Sequence, residues 1–79
     1  GSPSLMPERL ARLKADEMIR ILRRHGFELV SHRGSHQKWR HPETGKQVIV
    51  PFHKGKQLPI GTLNAIIEGS GIPREEFRH

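Results

Sequence analysis

A chain of 79 residues is long enough for one domain with one modest core, a size at which that core supplies roughly 3–5 kcal/mol of net stability. The absence of cysteine excludes a disulfide framework and a thiolate metal site. Fourteen Lys and Arg against eight Asp and Glu give a net charge of +6, which calls for an acidic partner: nucleic acid, an acidic protein or a membrane surface.

No apolar run approaches the ~20 residues needed to cross a bilayer, and no secretory leader is visible. With the missing cysteines, this leads us to expect a cytoplasmic protein that does not engage membranes. Gly1-Ser2 resembles an expression-tag remnant. We therefore expect residues 1–5 to be vector-derived, Met6 to be the native start, and a single domain to span 6–79.

Residues 6–14 carry Leu10 and Leu13 among charges and either lengthen the first helix or fray. The first clear element is a helix over about 15–25. Asp16 and Glu17 sit where a helix N-terminus favours acids. Met18, Ile21 and Leu22 make an apolar stripe at spacings of three and four, with Ile19 beside it. Arg23, Arg24 and His25 occupy the last turn, and Gly26 supplies the left-handed cap.

Three short strands are expected next. The first runs from Phe27 to His32 and breaks at Arg33-Gly34-Ser35. The second runs from His36 to His41, with Trp39 as its apolar anchor. The turn Pro42-Glu43-Thr44-Gly45 leads to a third strand, Lys46 to Val50, expected to stop at Pro51. Such short connections predict an antiparallel meander. A loop from Phe52 to Leu58 precedes a second helix that begins near Thr62, carries Leu63, Ile66 and Ile67, and ends near Gly69-Ser70-Gly71. Pro73 to Phe77 predicts one more helical turn. The expected class is α+β in the order α-β-β-β-α, with two helices on one face of a three-stranded antiparallel sheet. The other face is left for solvent or ligand.

The charge is clustered rather than spread. Between Arg33 and Lys56 lie six Lys or Arg against one acid, Glu43. His36, His41 and His53 fall in the same window, and His32 precedes it. A polyanion is drawn to such a surface because each neutralised phosphate releases counterions, and histidine is the side chain best suited to moving a proton near neutral pH.

Alternation along the second strand puts His36, Lys38 and Arg40 on one face and Gln37, Trp39 and His41 on the other. Trp39 belongs inside, so the basic row faces outward with an imidazole at its head. Metal-free RNA cleavage needs a base near the 2′-hydroxyl, an acid near the leaving 5′-oxygen, and cations near the phosphorus. His36 can serve as base or acid, and Lys38, Arg40, Lys54 and Lys56 can supply charge. Taken alone, the residues favour a plainer role for His36, capping backbone groups beside a turn. His53 is assigned to phosphate contact or loop ordering, His25 to the helix end, and His79 to the tail. The histidines lie on different strands, without cysteine and with few carboxylates, so no metal site and no cofactor are expected. Trp39, Phe27 and Phe52 are assigned to the core rather than to base stacking.

From about Lys14 to Ile72 the sequence resembles the HicA family of toxin mRNA endoribonucleases. The matching pieces, in order, are Arg24-His25-Gly26-Phe27, Gly34-Ser35-His36, His41-Pro42-Glu43-Thr44-Gly45, Val48-Ile49-Val50-Pro51-Phe52-His53 and Leu58-Pro59-Ile60-Gly61-Thr62-Leu63. The resemblance implies a double-stranded-RNA-binding-domain-like fold and aligns His36 with the family's catalytic histidine. It further implies cleavage of mRNA without the ribosome and neutralisation by a HicB-type antitoxin that blocks the active site. It turns His36 from a capping residue into the expected catalytic one, with Ser35, Lys38, Arg40, His53, Lys54 and Lys56 as expected RNA contacts. Two other readings stand beside it. One is a non-catalytic double-stranded-RNA-binding module. The other is an adaptor for an acidic protein, which predicts no RNA affinity even at low salt.

Overall fold

The computed structural model describes residues 13–77. The expected tag remnant, the Met6 start, the 6–12 stretch and the His79 tail lie outside them. Within them the order is helix α1 (Ala15–Arg24), strands β1 (Glu28–Arg33), β2 (His36–Arg40) and β3 (Gln47–Pro51), helix α2 (Ile60–Ser70), and a 3-10 turn (Arg74–Phe77). The expected α+β class and α-β-β-β-α order are both present.

Helix α1 opens with the Lys14 amide donating to Glu17 Oε1 at 2.9 Å, one half of a capping box. It closes in a Schellman motif: Gly26 N–H donates to the Arg23 carbonyl at 3.0 Å and Phe27 N–H to the Leu22 carbonyl at 2.9 Å. Gly26 has φ +93°, a conformation that costs an L side chain dearly, and a Cβ there would meet His41 Nε2 at 2.9 Å. The helix therefore stops at one place, and Phe27 turns directly into the core.

The sheet is an antiparallel meander in the order β1-β2-β3. β1 and β2 are joined by the two-residue turn Gly34-Ser35. Gly34 has φ +54° and, among the described residues, no non-glycine residue has positive φ, which matches a type II′ hairpin turn. Arg33 pairs with His36 across it, His32 with Gln37 and Ser31 with Lys38. A bulge at Val30 then shifts the register, so that Leu29 pairs with Trp39 and Glu28 with Arg40.

β2 and β3 pair without interruption, from His36 opposite Pro51 to Arg40 opposite Gln47. The flanking bonds Phe52 N–H to the Ser35 carbonyl (2.6 Å) and His41 N–H to the Lys46 carbonyl (2.8 Å) fix the phase of this ladder. Val48 and Val50 bond to β2, while Gln47, Ile49 and Pro51 turn their backbone groups away from it. The expected stop before Pro51 is thus corrected. Pro51 ends the strand as a paired residue, because its missing N–H would point off the sheet edge in any case.

Both helices cover the sheet face that carries Trp39, Val48 and Val50. Met18 and Leu22 from α1, and Leu63, Ile66 and Ile67 from α2, are buried against it. Phe77 in the 3-10 turn is fully buried as well. The Arg23 guanidinium lies 5.3 Å from the Trp39 ring and closes that side of the core. Two expected details are corrected. β1 starts at Glu28 rather than at Phe27, which is buried in the core as expected, and α2 starts at Ile60, after Pro59 and two residues before Thr62. β1 lies beyond the helices, and all six of its residues are exposed.

Candidate active site and nucleic-acid interface

The outer face of the sheet is a lattice of three rows: Arg33, His36 and Pro51; Ser31, Lys38 and Ile49; Glu28, Arg40 and Gln47. Residues opposite one another on neighbouring strands have Cβ atoms about 4.5–5.5 Å apart. Arg33 is therefore the nearest cationic neighbour of His36 across the strands, and Lys38 is its neighbour along β2. Ser31, Arg33, His36, Lys38 and Ile49 line one open groove of about 480 Å³. Its floor is the pleated sheet itself, so any ligand would lie flat across strands rather than enter a closed pocket.

The residues expected from sequence divide into three sets. His36 and Lys38 line the groove. Arg40 shares their face but lies outside the groove lining, with Glu28 directly opposite. Ser35 sits in the hairpin turn, where its carbonyl holds the Phe52 amide. His53, Lys54 and Lys56 are exposed in the loop after β3. The Ser35–Phe52 bond anchors that loop beside the turn, at the same end of the sheet as His36.

Three groove residues, Ser31, Arg33 and Ile49, are absent from the sequence-derived set. Arg33 was findable, because a two-residue turn forces the residues on either side of it to pair. Ile49 depends on the β2–β3 register, which the sequence pattern alone does not set.

Two further histidines, His41 and His25, have neighbours that give them a structural role. His41 Nδ1 accepts the amides of Glu43 (3.2 Å) and Thr44 (3.4 Å), and its ring meets Phe27 edge-on with centroids 5.4 Å apart. It orders the β2–β3 turn. His25 Nε2 lies 3.4 Å from Glu76 Oε1 and links the end of α1 to the 3-10 turn. Among the described residues, no three His, Asp or Glu side chains converge as metal ligands, and no helix is long and apolar enough to cross a membrane.

Residues 15–72 match the family model of the HicA toxin of bacterial toxin-antitoxin systems. The chain belongs to the HicA toxin family. The match begins with α1 and runs past the end of α2, so it takes in the whole sheet and its groove. No curated protein matches the chain. Family membership makes this HicA chain a toxin of a toxin-antitoxin system and implies an antitoxin partner.

Proposed function

We propose that this HicA chain is an endoribonuclease that cuts mRNA without the ribosome and without a metal ion, with His36 as its proton-transfer residue. In this reading a HicB-type antitoxin restrains it in the cytoplasm. The observation that carries the proposal is an exposed imidazole that lines one open groove together with two cationic residues, Arg33 across the strands and Lys38 along β2.

His36 takes the proton of a ribose 2′-hydroxyl. The 2′-oxygen attacks the adjacent phosphorus, the bond to the 5′-oxygen breaks, and that oxygen leaves with a proton from solvent. The products are a 2′,3′-cyclic phosphate and a 5′-hydroxyl. Arg33 and Lys38 stabilise the extra negative charge on phosphorus, an electrostatic role in which one well-placed donor is worth about 10²–10³ in rate. Ser35, Arg40, His53, Lys54 and Lys56 hold flanking phosphates, which positions the strand without reading its bases. An open groove suits single-stranded RNA, whose backbone can lie across the pleat.

The test compares wild type with His36→Ala on a long single-stranded RNA in EDTA. We expect wild type alone to cleave and both proteins to bind. Binding without cleavage by either supports the non-catalytic RNA-binding module instead. A plain 3′-hydroxyl with a 5′-phosphate on the products would rule out the cyclic route.

A further inference from the structure

The sheet has two edges, and they differ. β1 is interrupted by the bulge at Val30 and carries Glu28, His32 and Arg33, features that discourage pairing. β3 is regular along its whole length, and among the described residues no strand pairs with its far side. Its outward groups are the N–H and C=O of Gln47 and Ile49 and the C=O of Pro51, as the ladder phase requires. Beside this edge runs a second groove of about 340 Å³, lined by Val48, Ile49, Thr62, Ala65, Ile66 and Gly69 together with Gln47. It is mainly apolar and lies between β3 and α2. Ile49, 52% exposed, lines both this groove and the one that holds His36.

The charge around the edge has one sign. From Lys46 to Lys56 there are three lysines and no acid. The only carboxylate of α2, Glu68, is directed to Arg74 at 3.9 Å.

We propose that the open edge of β3 is the docking site of the antitoxin, which adds an extended, acidic strand there. Main-chain bonds to Gln47 and Ile49 supply affinity, and alternate apolar side chains of the added strand fill the groove against Ala65 and Ile66. Acidic residues at its ends meet Lys46 on one side and Lys54 or Lys56 on the other. Because Ile49 is shared, the added strand also borders the His36 groove, so docking and restraint of the site are one event. The proposal uses the antitoxin partner that family membership implies and is independent of whether the chain cleaves RNA.

The test is amide hydrogen exchange on the free chain, on its co-expressed complex with the antitoxin, and on the chain with RNA. Val48 and Val50 bond to β2 and act as internal controls, protected in every sample. We expect the Gln47 and Ile49 amides to exchange fast in the free chain and about tenfold or more slowly in the complex. An intact complex with both amides still fast overturns the proposal. Slowing that grows with the concentration of the chain alone also overturns it, in favour of a second copy. Slowing by RNA but not by antitoxin overturns it in favour of nucleic acid.

Two variants complete the test. Gln47→Pro removes one outward N–H and leaves the β2 ladder whole, and Ala65→Glu places a carboxylate in the groove. Each is expected to weaken antitoxin binding by about tenfold; undiminished binding by Ala65→Glu overturns the proposal. If Gln47→Pro loses protection at Val48, it has unfolded and Ala65→Glu decides.

Discussion

Arg33 stands directly opposite His36, in the pair that closes the Gly34-Ser35 turn. The pairing is set by the shortest possible hairpin loop, so it cannot slip without rebuilding the turn. The two side chains thereby leave the sheet side by side, placed by backbone geometry, and both line the same groove. Arg40, on the same face, has a carboxylate as its opposite number, Glu28.

This contrast yields the first prediction. Arg33→Ala should lower single-turnover RNA cleavage by about 10²-fold, whereas Arg40→Ala should leave the rate within a few-fold. Both should weaken binding uniformly across sequences and reduce the salt slope by about 0.7, the value for one phosphate contact on a single strand. Equal rates for the two variants would show that position relative to His36 does not matter.

Gly34 has open space where a side chain would go, so Gly34→Ala meets no clash. It does force an L residue to φ +54°, at a cost of about 1–2 kcal/mol. Relief by a change of turn type would splay the strands and separate Arg33 from His36. Cleavage should therefore fall by more than the loss of stability explains. Parallel urea titration and rate measurement at a temperature where the variant stays folded will separate the two effects.

At Gly26 both the conformation and the space are hostile. Gly26→Ala must adopt φ +93° and press on the His41 ring. His41 in turn holds the amides of Glu43 and Thr44. We expect a loss of about 2–3 kcal/mol, read as a lower urea midpoint with an unchanged slope.

Ser70 is the one buried polar side chain among the described residues. Its hydroxyl donates to the Ile67 carbonyl at 2.9 Å and accepts the Ile72 amide at 3.1 Å. Ser70→Ala strands that amide in the core and should cost about 1–3 kcal/mol. Ser70→Thr, which keeps the hydroxyl, should recover most of it. Equal destabilisation by both would assign the effect to volume rather than to hydrogen bonding.

Trp39 is 2% exposed and carries Arg23 on its ring. Trp39→Ala should cost about 3–5 kcal/mol, which matches the whole stability expected of a core this small. The variant should be unfolded by far-UV circular dichroism at room temperature, while Arg23→Ala, which removes only the cover, should stay folded with a lower urea midpoint.

The local elements were legible because their signals are local. Met18 and Leu22 recur at helical spacing, Gly26 permits one backbone conformation that few other residues tolerate, and Gly34-Ser35 forms a turn that needs no distant partner. Period-two alternation around Trp39 correctly placed His36, Lys38 and Arg40 on the outer face. The α-β-β-β-α order follows from these pieces, and so does the single helical layer, since each helix shows one apolar stripe and needs one sheet face to cover it.

What the sequence could not decide is what stands beside what. The bulge at Val30 resets which β1 residues share a face, and a one-residue shift leaves no trace in composition. Ile49 became a wall of the His36 groove only through the β2–β3 register, and Pro51 became a strand residue only because its nitrogen faces the open edge. The basic cluster that is continuous along the chain is divided in space: Arg33 and Lys38 lie in the groove, Arg40 opposite Glu28, and Lys54 and Lys56 in a loop. Sequence order and residue type determine the elements and their faces. Strand register, a cooperative property of three segments pairing at once, decides the neighbours of His36.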